Sequence, residues 1–260
     1  MSVYSIYFSP TGGTKTVADI LTKEFSNCID IDLCTPVQNT KTIFSENDLC
    51  CIAVPSFGGR VPATAAGRLK TLTGNHTSAV LIVVYGNRAY EDTLLELSDI
   101  VSECGFTPIA AVPAIAEHSI MHQFAAGRPD IDDIRMLTSF AERIVKKAHT
   151  AASYEKAADS PSSCLQLPGS RPYKKYGTLP FVPLVNNHCT GCKKCAALCP
   201  TGAICADHPD ETDAALCIGC MRCISICPQN ARYLEPGLLK ATSEKMAPLF
   251  KERKECELFL

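Results

Sequence analysis

The chain has no tryptophan, and aromatic residues make up only 7% of its 260 residues. It also lacks an apolar run of the roughly 18–20 residues that a membrane-spanning helix requires, so we expect no membrane span. Neither sign of charge dominates, because 25 Lys and Arg residues stand against 27 Asp and Glu residues. Proteins that bind nucleic acid through its phosphates need a basic excess, so we expect no nucleic-acid partner. The first ten residues lack a basic start and a small-residue cleavage site, which predicts a soluble, cytoplasmic protein.

Cysteine, by contrast, is abundant, and half of the 16 cysteines fall into two runs of identical spacing. The runs are Cys189, Cys192, Cys195 and Cys199, followed by Pro200, and Cys217, Cys220, Cys223 and Cys227, followed by Pro228. Three cysteines at intervals of two residues and then a Cys-Pro pair, repeated once, are typical of proteins with two 4Fe–4S clusters. Structural zinc is the alternative, because paired Cys-x-x-Cys units also form sites of four thiolates. The spacing predicts iron–sulfur clusters, with zinc as the competing metal.

The two runs resemble those of bacterial two-cluster ferredoxins, and this resemblance implies how the ligands are shared. Three cysteines of one run bind a cluster, and the fourth crosses to the other cluster. The ligands of cluster 1 would be Cys189, Cys192, Cys195 and Cys227. The ligands of cluster 2 would be Cys217, Cys220, Cys223 and Cys199. Gly191 and Gly219 would let the two loops curl closely around the cluster sulfurs.

The first 150 residues have a different pattern. Short apolar runs alternate with segments of helical periodicity. The apolar runs lie at 3–8, 28–33, 48–54, 78–85 and 107–115. This alternation predicts an α/β doubly wound domain, in which helices cover both faces of a five-stranded parallel sheet. Ligands of such sheets bind beyond the carboxyl ends of the strands, so the loops at that edge are the candidate binding residues.

The loop after the first predicted strand has the composition of a phosphate-binding loop. Hydroxyl groups, glycines and the free amides of a helix N-terminus together can hold a phosphate. The candidate residues are Ser9, Thr11, Gly12, Gly13 and Thr14. Their order resembles the flavodoxin pattern Ser/Thr-x-Thr-Gly-x-Thr, and the resemblance implies that the loop binds the phosphate of FMN. An ordinary turn capped by a threonine is the alternative.

Two further loops follow the third and fourth predicted strands and lie at the same edge. In flavodoxins the corresponding loops enclose the isoalloxazine ring. The residues that this resemblance assigns to the flavin are Ser56, Phe57, Gly58, Tyr85, Gly86, Asn87 and Tyr90. The aromatic rings among them are the candidates for stacking. Because the chain has no tryptophan, the tryptophan that often covers the flavin in flavodoxins is absent, and the choice of stacking partner stays open.

Charged and titratable side chains also occur in these loops. Arg60 and Arg88 are expected to place positive charge near the flavin ring, which would favour its reduced, anionic form. His118 and His122 follow the fifth strand, near the expected flavin edge. We interpret them as solvated loop histidines, and protonation of a substrate by one of them is the alternative.

The sequence patterns of the two halves predict four regions along the chain. A flavodoxin-like FMN-binding domain spans 1–150, a linker rich in serine and proline spans 151–183, a small α+β bacterial ferredoxin-like domain spans 184–234, and a helical tail spans 235–260. In this order and at this length, the chain resembles the flavodoxin–ferredoxin fusion proteins of anaerobic bacteria and archaea, the EFR-type ferredoxin family.

The resemblance implies an electron-transfer protein that relays electrons between two 4Fe–4S clusters and FMN in low-potential anaerobic metabolism. Its partners would be ferredoxin-type donors or acceptors, and a homodimer is possible. One alternative is an FMN-dependent reductase of a small substrate or a disulfide, although no catalytic residue is assigned. The cysteines outside the runs that suggest this chemistry are Cys28, Cys34, Cys50, Cys51 and Cys104. A ferredoxin with a flavin-free docking domain is the other alternative.

Overall fold

The computed structural model describes residues 2–25, 27–35, 42–153, 165–177 and 181–260. Its first domain is built on a sheet of five parallel strands. The strands are β1 (Val3–Tyr7), β2 (Cys28–Asp32), β3 (Leu49–Pro55), β4 (Ser78–Tyr85) and β5 (Thr107–Ile115). They stand in the order β2-β1-β3-β4-β5, which is the strand order of the flavodoxin-like fold. The predicted α/β doubly wound domain is therefore confirmed.

Helices cover both faces of this sheet. They are α1 (Gly13–Thr22), α2 (Ala63–Leu69), α3 (Thr93–Glu103) and α4 (Ile131–Ser153). Helices α1 and α4 bury Leu21 and Leu137 in the core on one face, and α2 and α3 bury Leu69 and Leu97 on the other. Because both faces are covered, the carboxyl edge of the sheet is where a ligand can approach the strands. None of the helices in the described ranges combines the length and the apolar content that crossing a membrane requires.

The cysteine-rich half is a small unit with an internal repeat. Its elements are β6 (Leu184–Val185), α5 (Lys194–Ala197), α6 (Arg222–Ser225) and β7 (Arg232–Tyr233), and the two strands pair antiparallel. Each one-turn helix begins inside a cysteine run and follows a residue of left-handed backbone, Lys193 with φ 60° and Met221 with φ 61°. Glycines with positive φ stand two residues earlier in both runs, at Gly191 and Gly219. Equal backbone at equal positions shows that the two runs are structural repeats.

The cysteine-rich half packs against the carboxyl edge of the sheet. Nη2 of Arg68, at the end of α2, donates a hydrogen bond to the carbonyl oxygen of Pro200 at 2.5 Å. Nη2 of Arg222 lies 3.8 Å from a carboxylate oxygen of Asp32, the last residue of β2. Ile120, in the loop after β5, packs against an apolar cluster of the second half: Phe181, Met221 and Leu234. These contacts bring the second cysteine run to the edge where the ligand loops of the first domain lie.

The segment 165–177 also packs on the first domain. Glu96, on α3, accepts hydrogen bonds from Nε and Nη2 of Arg60 at 2.8 and 2.7 Å, and both side chains are almost fully buried. The guanidinium lies over the rings of Tyr173 and Tyr176, 5.0 and 4.2 Å from their centroids. The Tyr176 hydroxyl also donates to Glu96 at 3.2 Å. The other parts of the predicted linker, 154–164 and 178–180, lie outside the described residues.

We expect Glu96→Gln to lower the free energy of unfolding by about 3–5 kcal/mol, because it leaves the Arg60 guanidinium buried without its counter-charge. Glu103→Gln is the matched control on the same helix. Glu103 forms an exposed pair with Lys70 at 3.7 Å, which predicts a loss below about 1 kcal/mol. Urea denaturation of both variants measures the difference. Equal losses in the two variants would contradict a stabilising role of the buried pair.

The C-terminal region returns to the first domain. It begins with α7 (Pro236–Met246) and a 3-10 helix (Ala247–Phe250), and the last ten residues form no helix. The predicted helical tail is therefore helical only as far as Phe250. The Phe259 amide donates to the Ala111 carbonyl at 2.9 Å, and the Ala111 amide donates back at 3.0 Å. Because β5 is an edge strand, this pairing covers backbone groups that would otherwise be open to a second chain.

Candidate functional site

A cavity lies at the carboxyl edge of the sheet and encloses about 740 Å³, counting the part open to solvent. We call it the sheet-edge cavity. The predicted flavin residues that line it are Thr11, Gly13, Thr14, Ser56, Phe57, Gly58, Tyr85 and Gly86. The predicted residues that do not line it are Ser9, Gly12, Asn87 and Tyr90. The structure thus brings three loops, distant in sequence, to one concave site.

The loop after β1 has the geometry of an anion-binding loop. Helix α1 starts at Gly13, and Gly12 at its N-cap position has no side chain that could cap the first turn. The preceding Gly12 has a φ of +99°, which a residue with a side chain rarely adopts. Ser9 does not face the cavity but accepts a hydrogen bond from the Lys15 amide at 2.9 Å, so it shapes the loop from behind. The free helix N-terminus with the hydroxyls of Thr11 and Thr14 fits a phosphate group.

The loop has no free lysine directed at such a phosphate. Nζ of Lys15 forms ion pairs with Asp19 at 2.7 Å and Asp30 at 3.1 Å. An anion in the loop would therefore be held by backbone amides and hydroxyls. The helix dipole of α1 also favours a negative charge at this end of the helix.

The loop after β3 presents an aromatic ring to the cavity. Residues Phe57 to Arg60 form a tight turn in which Phe57 and Arg60 exchange backbone hydrogen bonds at 3.0 and 3.2 Å. The Ser56 hydroxyl is 2.7 Å from that of Thr93, which fixes the start of the turn. Phe57 is half-buried and lines the cavity, whereas Tyr85 is buried in its floor. Phe57 is thus the described side chain best placed to lie against a flat ligand.

Asn87 and Tyr90 contact the C-terminal segment and not the cavity. The Asn87 amide donates to the Glu252 carbonyl at 2.9 Å, and its oxygen accepts from the Lys254 amide at 2.8 Å. The Tyr90 hydroxyl donates to Glu257 at 3.1 Å. Residues more than 150 positions away in sequence occupy both side chains, which no local pattern could have indicated. Their role in flavin binding stays a prediction that the geometry does not favour.

The prediction that Arg60 and Arg88 bring positive charge to the cavity is wrong. Arg60 is neutralised by Glu96, as described above, and Nη1 of Arg88 forms an ion pair with Glu91 at 2.6 Å. Neither arginine lines the cavity. A carboxylate beside each guanidinium cancels the charge that the sequence suggested.

A fourth loop, which the sequence placed near this edge but to which it assigned no flavin contact, also lines the cavity. Residues 116–120, directly after β5, line it, and so do Gly219 and Cys220 of the second cysteine run. His118 belongs to this loop and is half-buried, and burial lowers its pKa to about 4. The interpretation of His118 as a solvated histidine is therefore wrong. His122, in contrast, is exposed and pairs with Glu117 at 2.7 Å.

The second cysteine run forms a site next to this cavity. Cys217, Cys220 and Cys223 lie close enough to Cys199 for their charges to interact. Burial raises the pKa of Cys220 to about 11 and that of Cys223 to about 12, and the nearness of Cys199 adds to both shifts. We call these four residues the inner cysteines. The fourth cysteine of the first run thus lies among three cysteines of the second.

The remaining four cysteines of the runs meet in a second cavity, which is lined only by residues of the cysteine-rich half. We call them the outer cysteines: Cys189, Cys192, Cys195 and Cys227. Burial raises the pKa of Cys227, but amides of the loop that follows, such as that of Ala231 at 3.3 Å from the sulfur, outweigh it and lower the pKa. Amides directed at sulfur also suit a thiolate that binds a cluster.

The two groups of cysteines each offer four thiols, which is the donor set of a 4Fe–4S cluster. In the described part of the chain, no three side chains of His, Cys, Asp or Glu converge closely enough to hold one metal ion. Four thiolates around a cavity can each reach a different iron of one cluster. The outer cysteines line one cavity and therefore fit a 4Fe–4S cluster, and the inner cysteines offer the same donor set.

One comparison bears on this half of the chain. Residues 211–233 match the family model described as a 4Fe-4S binding domain. The match covers the second cysteine run and β7. It indicates an iron–sulfur site, and together with the flavodoxin-like sheet it indicates a redox role.

Other comparisons concern the first domain. No curated protein sequence matches the chain. A rubredoxin oxygen:oxidoreductase from Desulfovibrio gigas matches 59% of this chain and 37% of its own, with 14% identity and a TM-score of 0.42. A flavodoxin from Streptococcus pneumoniae matches 56% of this chain and 99% of its own, with 18% identity and a TM-score of 0.41. A flavodoxin from the domain Archaea is 12% identical to this chain, with a TM-score of 0.39. At these TM-scores the likeness carries no weight, and the strand order alone defines the fold.

The five cysteines that suggested thiol chemistry in the first domain do not form a reactive thiol site. Cys34, Cys50 and Cys51 are buried, and burial raises the pKa of each, that of Cys34 to about 12. Burial also raises the pKa of the half-buried Cys28 and Cys104. A reactive cysteine needs an accessible thiolate, so these five residues behave as small apolar side chains.

Proposed function

We propose that this protein is an electron-transfer protein that carries two 4Fe–4S clusters and one FMN, and that it relays electrons between them. The inner cysteines would hold one cluster and the outer cysteines the other. The sheet-edge cavity would hold FMN, with the phosphate at Thr11 and Thr14 and the ring near Phe57.

One observation carries the proposal. Cys220, one of the inner cysteines, lines the same cavity as the three flavodoxin-like loops. A cluster at the inner cysteines would therefore border the flavin, and a cluster at the outer cysteines would be separated from the flavin by the inner one. In this arrangement the three proposed redox sites would lie in series, from the sheet edge to the exposed thiols of Cys189 and Cys192.

When bound, each cluster supplies one-electron chemistry and FMN supplies one- or two-electron chemistry. The chain contributes the order of the sites, the burial of the inner cysteines and the packing of Ile120 on Met221 that keeps the two halves together. Because Gly219 and Cys220 line this cavity, a flavin held there would lie beside the inner cysteines, and that closeness favours a carrier over a reductase.

The exposed end of this series is the surface around the outer cysteines, where a redox partner would dock. Lys193 and Lys194 lie in the wall of the outer cavity and are exposed to solvent. We propose ferredoxin-type donors or acceptors as partners, in the low-potential metabolism of anaerobes, on the resemblance to flavodoxin–ferredoxin fusion proteins. A homodimer and a cytoplasmic location stay predictions.

Anaerobic purification with iron, sulfide and flavin analysis tests the proposal. We expect about eight irons and up to one FMN per chain, with visible absorbance from both kinds of cofactor. Iron without flavin would indicate a ferredoxin with a docking domain, and zinc without colour would indicate a structural module. Turnover of a small substrate or a disulfide by the reduced protein would indicate a reductase. Each of these outcomes would overturn the proposal that the protein is an electron carrier.

A further inference from the structure

His118 has a feature that the proposed function does not use. Its ring lines the sheet-edge cavity, in the loop that follows β5. Nδ1 accepts hydrogen bonds from the amides of Ile120 and Met121, at 3.2 and 3.1 Å. Because Nδ1 is an acceptor in both, the proton of the neutral ring resides on Nε2. In the described part of the chain, Nε2 has no hydrogen-bond partner, so this residue, which lines the cavity, keeps one unpaired N–H donor.

The surroundings of the ring hold it in one orientation. A Cβ atom at Gly86 would lie 2.7 Å from Cδ2 of His118, so the ring packs directly on a glycine that also lines the cavity. On another side the ring meets Phe250 edge-on, with centroids 5.6 Å apart. The two backbone amides that donate to Nδ1 and the two packing contacts thus fix the His118 ring. Because the ring is already held, less entropy is lost when a ligand accepts a hydrogen bond from Nε2.

Burial also keeps the ring neutral, since it holds the pKa at about 4. A neutral imidazole donates from Nε2 without bringing a positive charge into the cavity. Flavins carry acceptor atoms on the polar edge of their ring system, and an acceptor buried without a donor costs binding energy.

We propose that His118 is a positioning residue for the flavin, in which Nδ1 holds the loop after β5 and Nε2–H donates a hydrogen bond to an acceptor atom of the flavin ring. This proposal rests on the proposed function. It assigns to one ring two separate tasks, one on each nitrogen.

Two isosteric substitutions separate the two tasks. The amide oxygen of His118→Asn falls near the position of Nδ1 and can still accept from Ile120 and Met121, but no group remains at Nε2. The amide nitrogen of His118→Gln falls near Nε2 and keeps a donor there, but the acceptor for the loop is lost. Full-length protein with its clusters in place is depleted of flavin anaerobically, and FMN is titrated back while its fluorescence quenching is followed.

We expect His118→Asn to bind FMN about tenfold more weakly than the wild type, with iron content unchanged, because one hydrogen bond to the flavin is lost. His118→Gln should bind FMN within about threefold of the wild type. The reduction potential of the bound flavin, followed by absorbance, should shift in His118→Asn more than in His118→Gln, since a donor to the ring acts differently on its two redox states.

Equal FMN affinity in the wild type and His118→Asn would overturn the proposal. So would equal weakening in both variants, because the ring would then act through the loop and not through Nε2–H. A wild-type protein that binds no FMN would overturn the proposed function itself, and with it this inference, and it would be recognised before any variant is measured.

Discussion

Cys199→Ser is expected to remove the inner cluster and to leave the outer one, although Cys199 belongs to the first run in sequence. The physical reason is that its thiol lies among Cys217, Cys220 and Cys223. Iron should fall from about eight to about four atoms per chain, because a cluster that loses a thiolate ligand is unstable. Cys227→Ser is the matched variant and should cause an equal loss of iron from the outer site.

Double variants show which cluster has been lost. If Cys199 serves the inner site, Cys199→Ser combined with Cys220→Ser keeps the same four or so irons, because both changes affect one cluster. Cys199→Ser combined with Cys192→Ser should lose nearly all the iron. The reverse result, with iron kept in the second double variant and lost in the first, would show that each run holds its own cluster.

Thr11→Asp is expected to weaken FMN binding by at least about a hundredfold and to leave the clusters intact. A carboxylate at this position would face the phosphate across a few ångströms in a partly desolvated loop, and like charges at that distance cost several kcal/mol at an effective dielectric constant near 20. Flavin content after gel filtration and a titration with FMN measure the effect, and iron analysis reports on the clusters.

Thr16→Asp is the control for this change. It is the same substitution five residues further along the chain, in the first turn of α1, but Thr16 is exposed and does not line the sheet-edge cavity. A carboxylate in the first turn of α1 is compatible with the helix dipole, so FMN binding should change by less than about threefold. If Thr11→Asp retains FMN as well as Thr16→Asp does, the loop after β1 does not bind the phosphate.

The positions of the strands were predictable because their signal is local. Each strand is a run of buried side chains between polar segments, and such a run shows its period within a few residues. The parallel arrangement followed as well, since helical segments between the strands leave room for crossover connections. The two cysteine runs were recognisable for the same reason, because three cysteines of each run lie within seven residues of sequence.

The walls of the candidate site were predictable only in part. The residues that the strand ends present, such as Thr11, Ser56 and Tyr85, do line the cavity. Asn87 and Tyr90 do not, because the C-terminal segment binds their side chains. His118 was misinterpreted because its burial depends on Phe250, which is more than 100 residues away. No pattern within a loop reports which distant segment will pack on it.

The amino-acid sequence alone determined the class of the fold and the kinds of ligand that each half can hold, because both depend on short-range order: the period of apolar residues, the spacing of cysteines and the glycines of one loop. Only the tertiary structure decided that Cys220 reaches the cavity of the other domain and that Arg60 and Arg88 carry no free charge there. It also decided which nitrogen of His118 remains as a donor. These features arise from contacts between segments far apart in the chain, whose partners are chosen by packing and charge once the domains have met.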